Sequence, residues 1–208
     1  MFLDELPEFK QNTLELLRGP LEENSVTISR MSGTVTYPCN FTFVASMNPC
    51  PCGYYGTKEK KCVCKEYQIS NYMNKISGPL LDRIDLHIEV SSLNYEKLSK
   101  EEKIESSEDI KKRVDHARMI QNQRYKNYNI FSNSELNNNM IKKFCKLNEK
   151  GELLLKTAFE KLNLSIRAYS RILKVARTIA DLDNKENILE NHIAEAIQYR
   201  SLDRKYWR

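Results

Sequence analysis

The chain is 208 residues long, with 40% apolar and 29% charged residues and a formal net charge of +5. That is enough for one compact domain or two small ones with a real core, and the composition is that of a globular protein, not a fibrous one. No window approaches the roughly 18 continuous apolar residues of a membrane span, and no charged-then-apolar leader opens the sequence. A cytoplasmic protein without membrane contact is therefore expected, and so mild a charge marks solubility more than a nucleic-acid partner.

In chain order, Met1-Phe-Leu-Asp-Glu5 is an apolar run ending in two acids. It reads as the end of a buried parallel strand whose earlier part is missing. Glu8 to Arg18 has helical apolar spacing, and Gly19-Pro20 is expected to stop it. Val26 to Tyr37 holds two β-rich runs around Ser32-Gly33, a hairpin signal. Phe41 to Ser46 reads as a second buried strand, closed by Met47-Asn48-Pro49 because proline cannot continue a ladder. A cysteine loop follows, then Ile76 to Asp85, then a strand over Leu86 to Val90.

After Ser91 the character changes. Asn94 to Ser107 is polar, and the rest shows helical periodicity over about 107–126, 135–147, 149–162, 165–182 and 190–201, with Ser107 and Ser165 as N-caps. The pattern predicts an α/β part at 1–92, a linker at 93–105 and an all-α part at 106–208.

Two groups of residues suggest chemistry. Of six cysteines, four fall in one stretch as Cys50-Pro-Cys52 and Cys62-Val-Cys64. This is unlike the spread framework of a secreted disulfide protein and suits reduced thiols gathered for a tetrahedral zinc ion. Lys58, Lys60, Lys61 and Lys65 would offset the charge of four thiolates. A metal-free reduced or redox-active cluster is the alternative, and an iron–sulfur cluster suits these spacings less well. The second group is Asp4-Glu5. At the carboxyl end of a parallel strand an Asp can hold a nucleotide's magnesium and a Glu can activate water; alternatively the two acids cap the helix that follows.

Several ordered segments resemble one family, the bacterial ComM/YifB-type magnesium-chelatase-like AAA+ ATPases. They are Phe2-Leu-Asp-Glu-Leu-Pro-Glu-Phe9; Pro20-Leu-Glu with Val26-Thr-Ile-Ser-Arg30; Ala45-Ser-Met-Asn-Pro-Cys-Pro-Cys-Gly53; Ile76 to Asp85; Arg171 to Leu182; and His192 to Asp203. The resemblance implies the second half of an AAA+ P-loop core, a parallel sheet with a hairpin insert, followed by a helical lid. Asp4 and Glu5 then correspond to the Walker B acids, and Asn48 to the sensor-1 residue that positions the attacking water. Arg83 corresponds to an arginine finger, with a salt bridge to Asp82 or Asp85 as its alternative. Arg167 corresponds to the sensor-2 arginine, with Arg171 its rival. Arg30, near the hairpin tip, would contact a DNA phosphate or simply sit on the surface.

The implied cofactors are ATP and Mg2+, with Zn2+ at the cysteines. The implied partners are DNA and further copies of the protein in a ring, a hexamer. The expected work is ATP-driven DNA helicase or branch-migration activity in recombination or natural transformation. An ATPase subunit that remodels a metal-chelatase partner is the competing role, and an inactive zinc-containing fragment is a third. The sequence departs from the family in one respect: it contains no Gly-Lys-Ser/Thr phosphate loop. The chain alone is accordingly expected to be inactive.

Overall fold

The computed structural model describes residues 1–57, 60–90, 105–162 and 164–200. The predicted linker at 93–105, apart from Glu105, lies outside the described residues, as do Lys58 and the segment 201–203. The chain divides into two compact units, one formed by Met1–Ile84 and one that begins at Asp85.

The first unit carries two small sheets. β1 (Phe2–Leu3) pairs in parallel with β4 (Val44–Ala45), with Phe2 opposite Val44 and Leu3 opposite Ala45. Between them in sequence, β2 (Ser25–Arg30) and β3 (Gly33–Pro38) form the antiparallel hairpin that the residue pattern predicts. The hairpin has two unlike faces, because strand side chains alternate. One carries hydroxyl pairs, Thr27 with Thr36 at 3.0 Å and Ser29 with Thr34 at 3.2 Å. The other carries Ile28 opposite Val35, with Arg30 opposite Gly33 at the tip. Gly33 takes φ +139, which L side chains rarely adopt.

Gly19-Pro20 does not stop a helix, contrary to expectation. α1 (Gln11–Leu16) ends just before it, and α2 (Arg18–Glu23) contains both residues in its first turn. The amide that proline lacks is one of the unpaired donors of a helix start, so it costs nothing there. The unit is completed by α3 (Glu66–Met73) and the single turn α4 (Gly78–Leu81). Its core is Leu6, Leu14, Ile76, Leu80 and Leu81, with Leu3, Phe43 and Ala45 packed against it.

The second unit is helical: α5 (Ser107–Arg124), α6 (Asn138–Phe144), α7 (Glu149–Lys161), α8 (Ile166–Leu182) and α9 (Glu190–Gln198). These match the predicted helices within a few residues. The cap of α5 is Ser106, whose Oγ accepts from the Asp109 amide at 3.2 Å, one residue before the expected Ser107. Ser165 caps α8 as expected, accepting from the Ala168 amide at 3.1 Å. The core joins Tyr125, Leu136, Ile141, Leu155, Ile172, Leu173 and Ile193. No helix among the described residues is long and apolar enough to cross a membrane.

The strand expected at Leu86–Val90 does not form. Leu86, Ile88 and Val90 are exposed, and the His87 amide donates to the Tyr199 carbonyl at 2.9 Å. Alternation alone builds no strand without a neighbouring strand to share the ladder.

Buried charge fixes the helical unit. Asp181 is fully buried and receives Arg124 Nη1 at 2.9 Å, Arg177 Nε at 3.2 Å and Asn133 Nδ2 at 2.9 Å. Asn133 in turn accepts from the Tyr125 hydroxyl at 2.6 Å. Arg177 spends its other two nitrogens on the Glu186 and Lys185 carbonyls, at 2.7 and 2.6 Å.

Candidate functional site

Because β1 and β4 run in parallel, their carboxyl ends leave the sheet at one edge, carrying Asp4-Glu5 from one strand and Ser46 to Asn48 from the other. The two exits are laced together: the Ser46 amide donates to the Leu3 carbonyl at 3.0 Å and the Leu6 amide to the Ser46 carbonyl at 2.9 Å. Asp4 Oδ1 accepts from the Ser46 hydroxyl and, at 3.1 Å, from the Glu5 amide. Glu5 sits at φ +51, a left-handed turn that carries the chain into the 3-10 turn Leu6–Glu8. Asp4, Glu5 and Asn48 are all exposed. The structure therefore brings these three predicted residues to one edge, with an oriented carboxylate among them.

The cysteine loop leaves that same edge. Cys50, Cys52 and Cys62 sulfurs lie 3.4, 3.7 and 3.5 Å apart, and all four, Cys64 included, fall within 4.8 Å of one another. Four sulfurs about 2.3 Å from a tetrahedral zinc ion stand roughly 3.8 Å apart, whereas a disulfide bond is about 2.05 Å long. The thiols are free and the geometry is that of a single-ion site. A tight turn makes it possible, in which the Gly53 amide donates to the Cys50 carbonyl at 3.0 Å with Gly53 at φ +81.

The thiols are chemically unequal. Backbone amides of Tyr54 and Val63 at its sulfur bring Cys52 down to about 6. Burial pushes Cys62 up to about 12 and raises Cys64. Cys52 thus loses its proton more readily than Cys62 or Cys64, which give theirs up most readily to a cation.

Sequence reading missed Tyr72 and Ser46. Tyr72, on α3, is 7% exposed. Burial raises its pKa, the Asn48 backbone works against that, and Glu8, Glu5 and Cys50 add to the rise. No residue pattern announced Tyr72; Ser46 was signalled by its place two residues before Asn48 on a strand paired to the Asp4 strand.

The arginines differ among themselves. Arg30 is exposed at the hairpin tip beside Met31, which is fully exposed. Arg83 is held in the first unit: Nε donates to the Arg18 carbonyl at 3.1 Å, Nη1 to the Pro79 carbonyl at 2.7 Å, and Nη2 pairs with Glu22. Glu22 is thus an anionic partner that sequence reading did not name. Asp85 pairs instead with Arg171. Lys174, its pKa lowered by burial, donates to the Ser134 carbonyl at 2.7 Å. Arg167 is exposed in the first turn of α8.

Comparison with known proteins gives a consistent picture. The family described as magnesium chelatase, subunit ChlI, matches residues 1–98, and the family described as magnesium chelatase, subunit ChlI C-terminal, matches residues 104–200. The chain is 44% identical over 206 residues to competence protein ComM of Haemophilus influenzae, covering 98% of this chain and 39% of that one. It is 42% identical over 205 residues to the uncharacterized protein YifB of Escherichia coli, with the same coverage. It is 33% identical over 200 residues to the uncharacterized protein Rv2897c of Mycobacterium tuberculosis, covering 96% of this chain and 39% of that one. The chain thus spans 39% of the length of these relatives.

Proposed function

This chain belongs to the magnesium chelatase subunit ChlI family, its ChlI domain followed by its C-terminal domain, and we propose that it supplies the acids, the polar sensor and the lid of an AAA+ ATP-driven motor acting on DNA. One observation carries the reading: Asp4, Glu5 and Asn48 leave paired parallel strands at one exposed edge. Ligands bind at the carboxyl ends of parallel strands in this way in open α/β sheets.

The residues fit a magnesium nucleotide. Asp4 has one oxygen fixed by Ser46 and the Glu5 amide, and its other oxygen has no protein partner among the described residues. Magnesium ATP, when bound, would supply the phosphoryl group and the metal charge. Asp4 would hold the magnesium ion, Glu5 would take a proton from the attacking water, and Asn48 would orient that water. The phosphate loop is assigned to a segment outside this sequence, in line with the 39% coverage of the relatives.

Arg83 is assigned to the site of a neighbouring copy in a ring, a hexamer in this reading. Acting there means trading the Glu22 carboxylate for phosphate oxygens, and both are anionic acceptors for the same planar fork. The sensor-2 role goes to Arg167, which is exposed in the first turn of α8 as the family resemblance places it. Arg30 is assigned to a DNA phosphate, which needs only a positive charge at an exposed tip. One zinc ion is assigned to Cys50, Cys52, Cys62 and Cys64, supported by their spacing. The similarity to a protein named for competence supports a competence-related role, with branch migration of incoming DNA as the specific task.

The test is Glu5→Gln in a protein that joins this chain to a phosphate-binding loop. ATP binding should persist while turnover falls by about 100-fold or more, since only proton transfer is lost. Unchanged turnover would refute the assignment.

A further inference from the structure

We infer that Glu22 is a latch on Arg83, a positioning residue that parks the guanidinium inside its own subunit and so makes hydrolysis wait for a neighbour. The inference rests on the reading of Arg83 as a finger and adds the residue that restrains it.

The latch is built from α2 and the turn α4. Pro79 lies four residues before Arg83, one helical turn back, and its carbonyl accepts from Nη1 at 2.7 Å. On α2, Arg18 and Glu22 are also four residues apart and share one face. The Arg18 carbonyl accepts from Arg83 Nε at 3.1 Å, and the Glu22 carboxylate takes Nη2. Arg18's own guanidinium is engaged by Glu15 at 2.5 Å. All three arms of the Arg83 fork thus meet oxygen within the first unit.

The three acceptors are not alike. Two are backbone carbonyls of helical residues, fixed by the chain. The third is a side chain on the surface: Arg83 is 7% exposed, whereas Glu22 is 41% exposed. Glu22 alone among them can rotate away into water at little cost, and it alone carries a charge that competes with phosphate. A covered arginine held by an exposed acid is suited to release.

Two arrangements follow, parked on Glu22 or engaged with a neighbour's nucleotide, and turnover scales with the engaged fraction. A polyphosphate outcompetes one carboxylate for the same donors. With no nucleotide next door, Glu22 spares the guanidinium from standing as an unpaired buried charge. Because a finger acts on charge that develops during phosphoryl transfer, the latch governs the rate at saturating ATP and leaves KM alone.

Glu22→Gln tests this, since it keeps the size and the hydrogen-bonding oxygen and removes only the charge. In the protein joined to a phosphate-binding loop, turnover should rise about three- to tenfold at unchanged KM, a modest gain because the acid is partly exposed. Arg83→Ala should be nearly inactive, and adding Glu22→Gln to it should change nothing further, because a latch with nothing to hold has no effect. A turnover at or below the parent's, or an equal rise in the Arg83→Ala background, overturns the latch. In the 208-residue chain itself, phenylglyoxal should modify Arg83 about three- to tenfold faster in Glu22→Gln than in the parent, with the exposed Arg30 reacting equally in both. Equal rates at Arg83 overturn the grip. Arg83→Ala that hydrolyses ATP like the parent overturns the inference through the finger assignment instead, and that single variant tells the two failures apart.

Discussion

The two units handle the same chemical groups in opposite ways. In the helical unit Asp181 is fully buried and saturated by Arg124, Arg177 and Asn133. In the first unit Asp4 is exposed and only half-satisfied, one oxygen accepting from Ser46 and the Glu5 amide. Burial works against the Arg124 charge, yet bonding to Asp181 lifts its pKa above the ordinary value; burial lowers that of Arg177. A buried carboxylate with every lone pair engaged is a fixture of the fold. An exposed carboxylate held in one orientation is available to a ligand. Burial and saturation, not residue type, separate these two aspartates.

Substituting the two aspartates gives the sharpest contrast. Asp181→Ala should destabilise the helical unit by about 3–5 kcal/mol, because it strands two guanidinium groups in the core. Asp4→Ala should stay within about 0.5 kcal/mol of the parent, as exposed substitutions do. Chemical denaturation followed by helix content measures both, and a cost for Asp181→Ala below that of Asp4→Ala would break the comparison.

A smaller effect separates the cysteines. Burial pushes Cys145 up to about 11 from an ordinary 9.0. Its neutral thiol therefore favours the folded state: the contribution is complete below pH 9 and is lost as pH rises through 11, about 2–3 kcal/mol in all. Denaturation midpoints of Cys145→Ala and the parent should converge over that window. In the same spirit, a thiol-alkylating reagent at pH 8 should modify the half-buried Cys39 and spare Cys145 until the helices unfold. Rapid modification of Cys145 in the folded chain would contradict its burial.

The smallest effect is local. Gly33→Ala places a side chain at φ +139, where the surroundings leave room but the backbone does not comply. A loss of about 1 kcal/mol is expected, seen as faster amide exchange across Ser25–Pro38 with no change in the helical unit. Equal exchange in both proteins would show that the hairpin tip carries no strain.

How much of this was legible in the sequence follows the same division. The helices were, because apolar spacing with a Ser cap is a local signal: Ser165 and the run Ile172, Leu173, Ala176, Ala180 announce α8. The hairpin was legible through its β-rich runs and Ser32-Gly33. The Leu86–Val90 strand was misread, since a ladder depends on a neighbour that local pattern does not supply. The cysteine quartet was readable from spacing, and its convergence to single-ion distances is a property of the turn at Gly53. Glu22 was not readable at all, because it matters through Arg83, a partner 61 residues away in sequence. In the stretch Arg171 to Leu182, sequence pattern did not show that Arg177 and Asp181 face inward.

The central claim is that this chain contributes to a nucleotide site shared between copies, with Glu5 acting in its own site and Arg83 in the neighbour's. Subunit mixing tests it most directly, with the chain joined to a phosphate-binding loop and mixed rings verified by mass. Glu5→Gln and Arg83→Ala proteins should each be nearly inactive alone. Mixed, they form some interfaces that pair an intact Glu5 with an intact Arg83, and part of the ATP turnover should return. No recovery from verified mixed rings would contradict the account and leave Arg83 as the structural partner of Glu22.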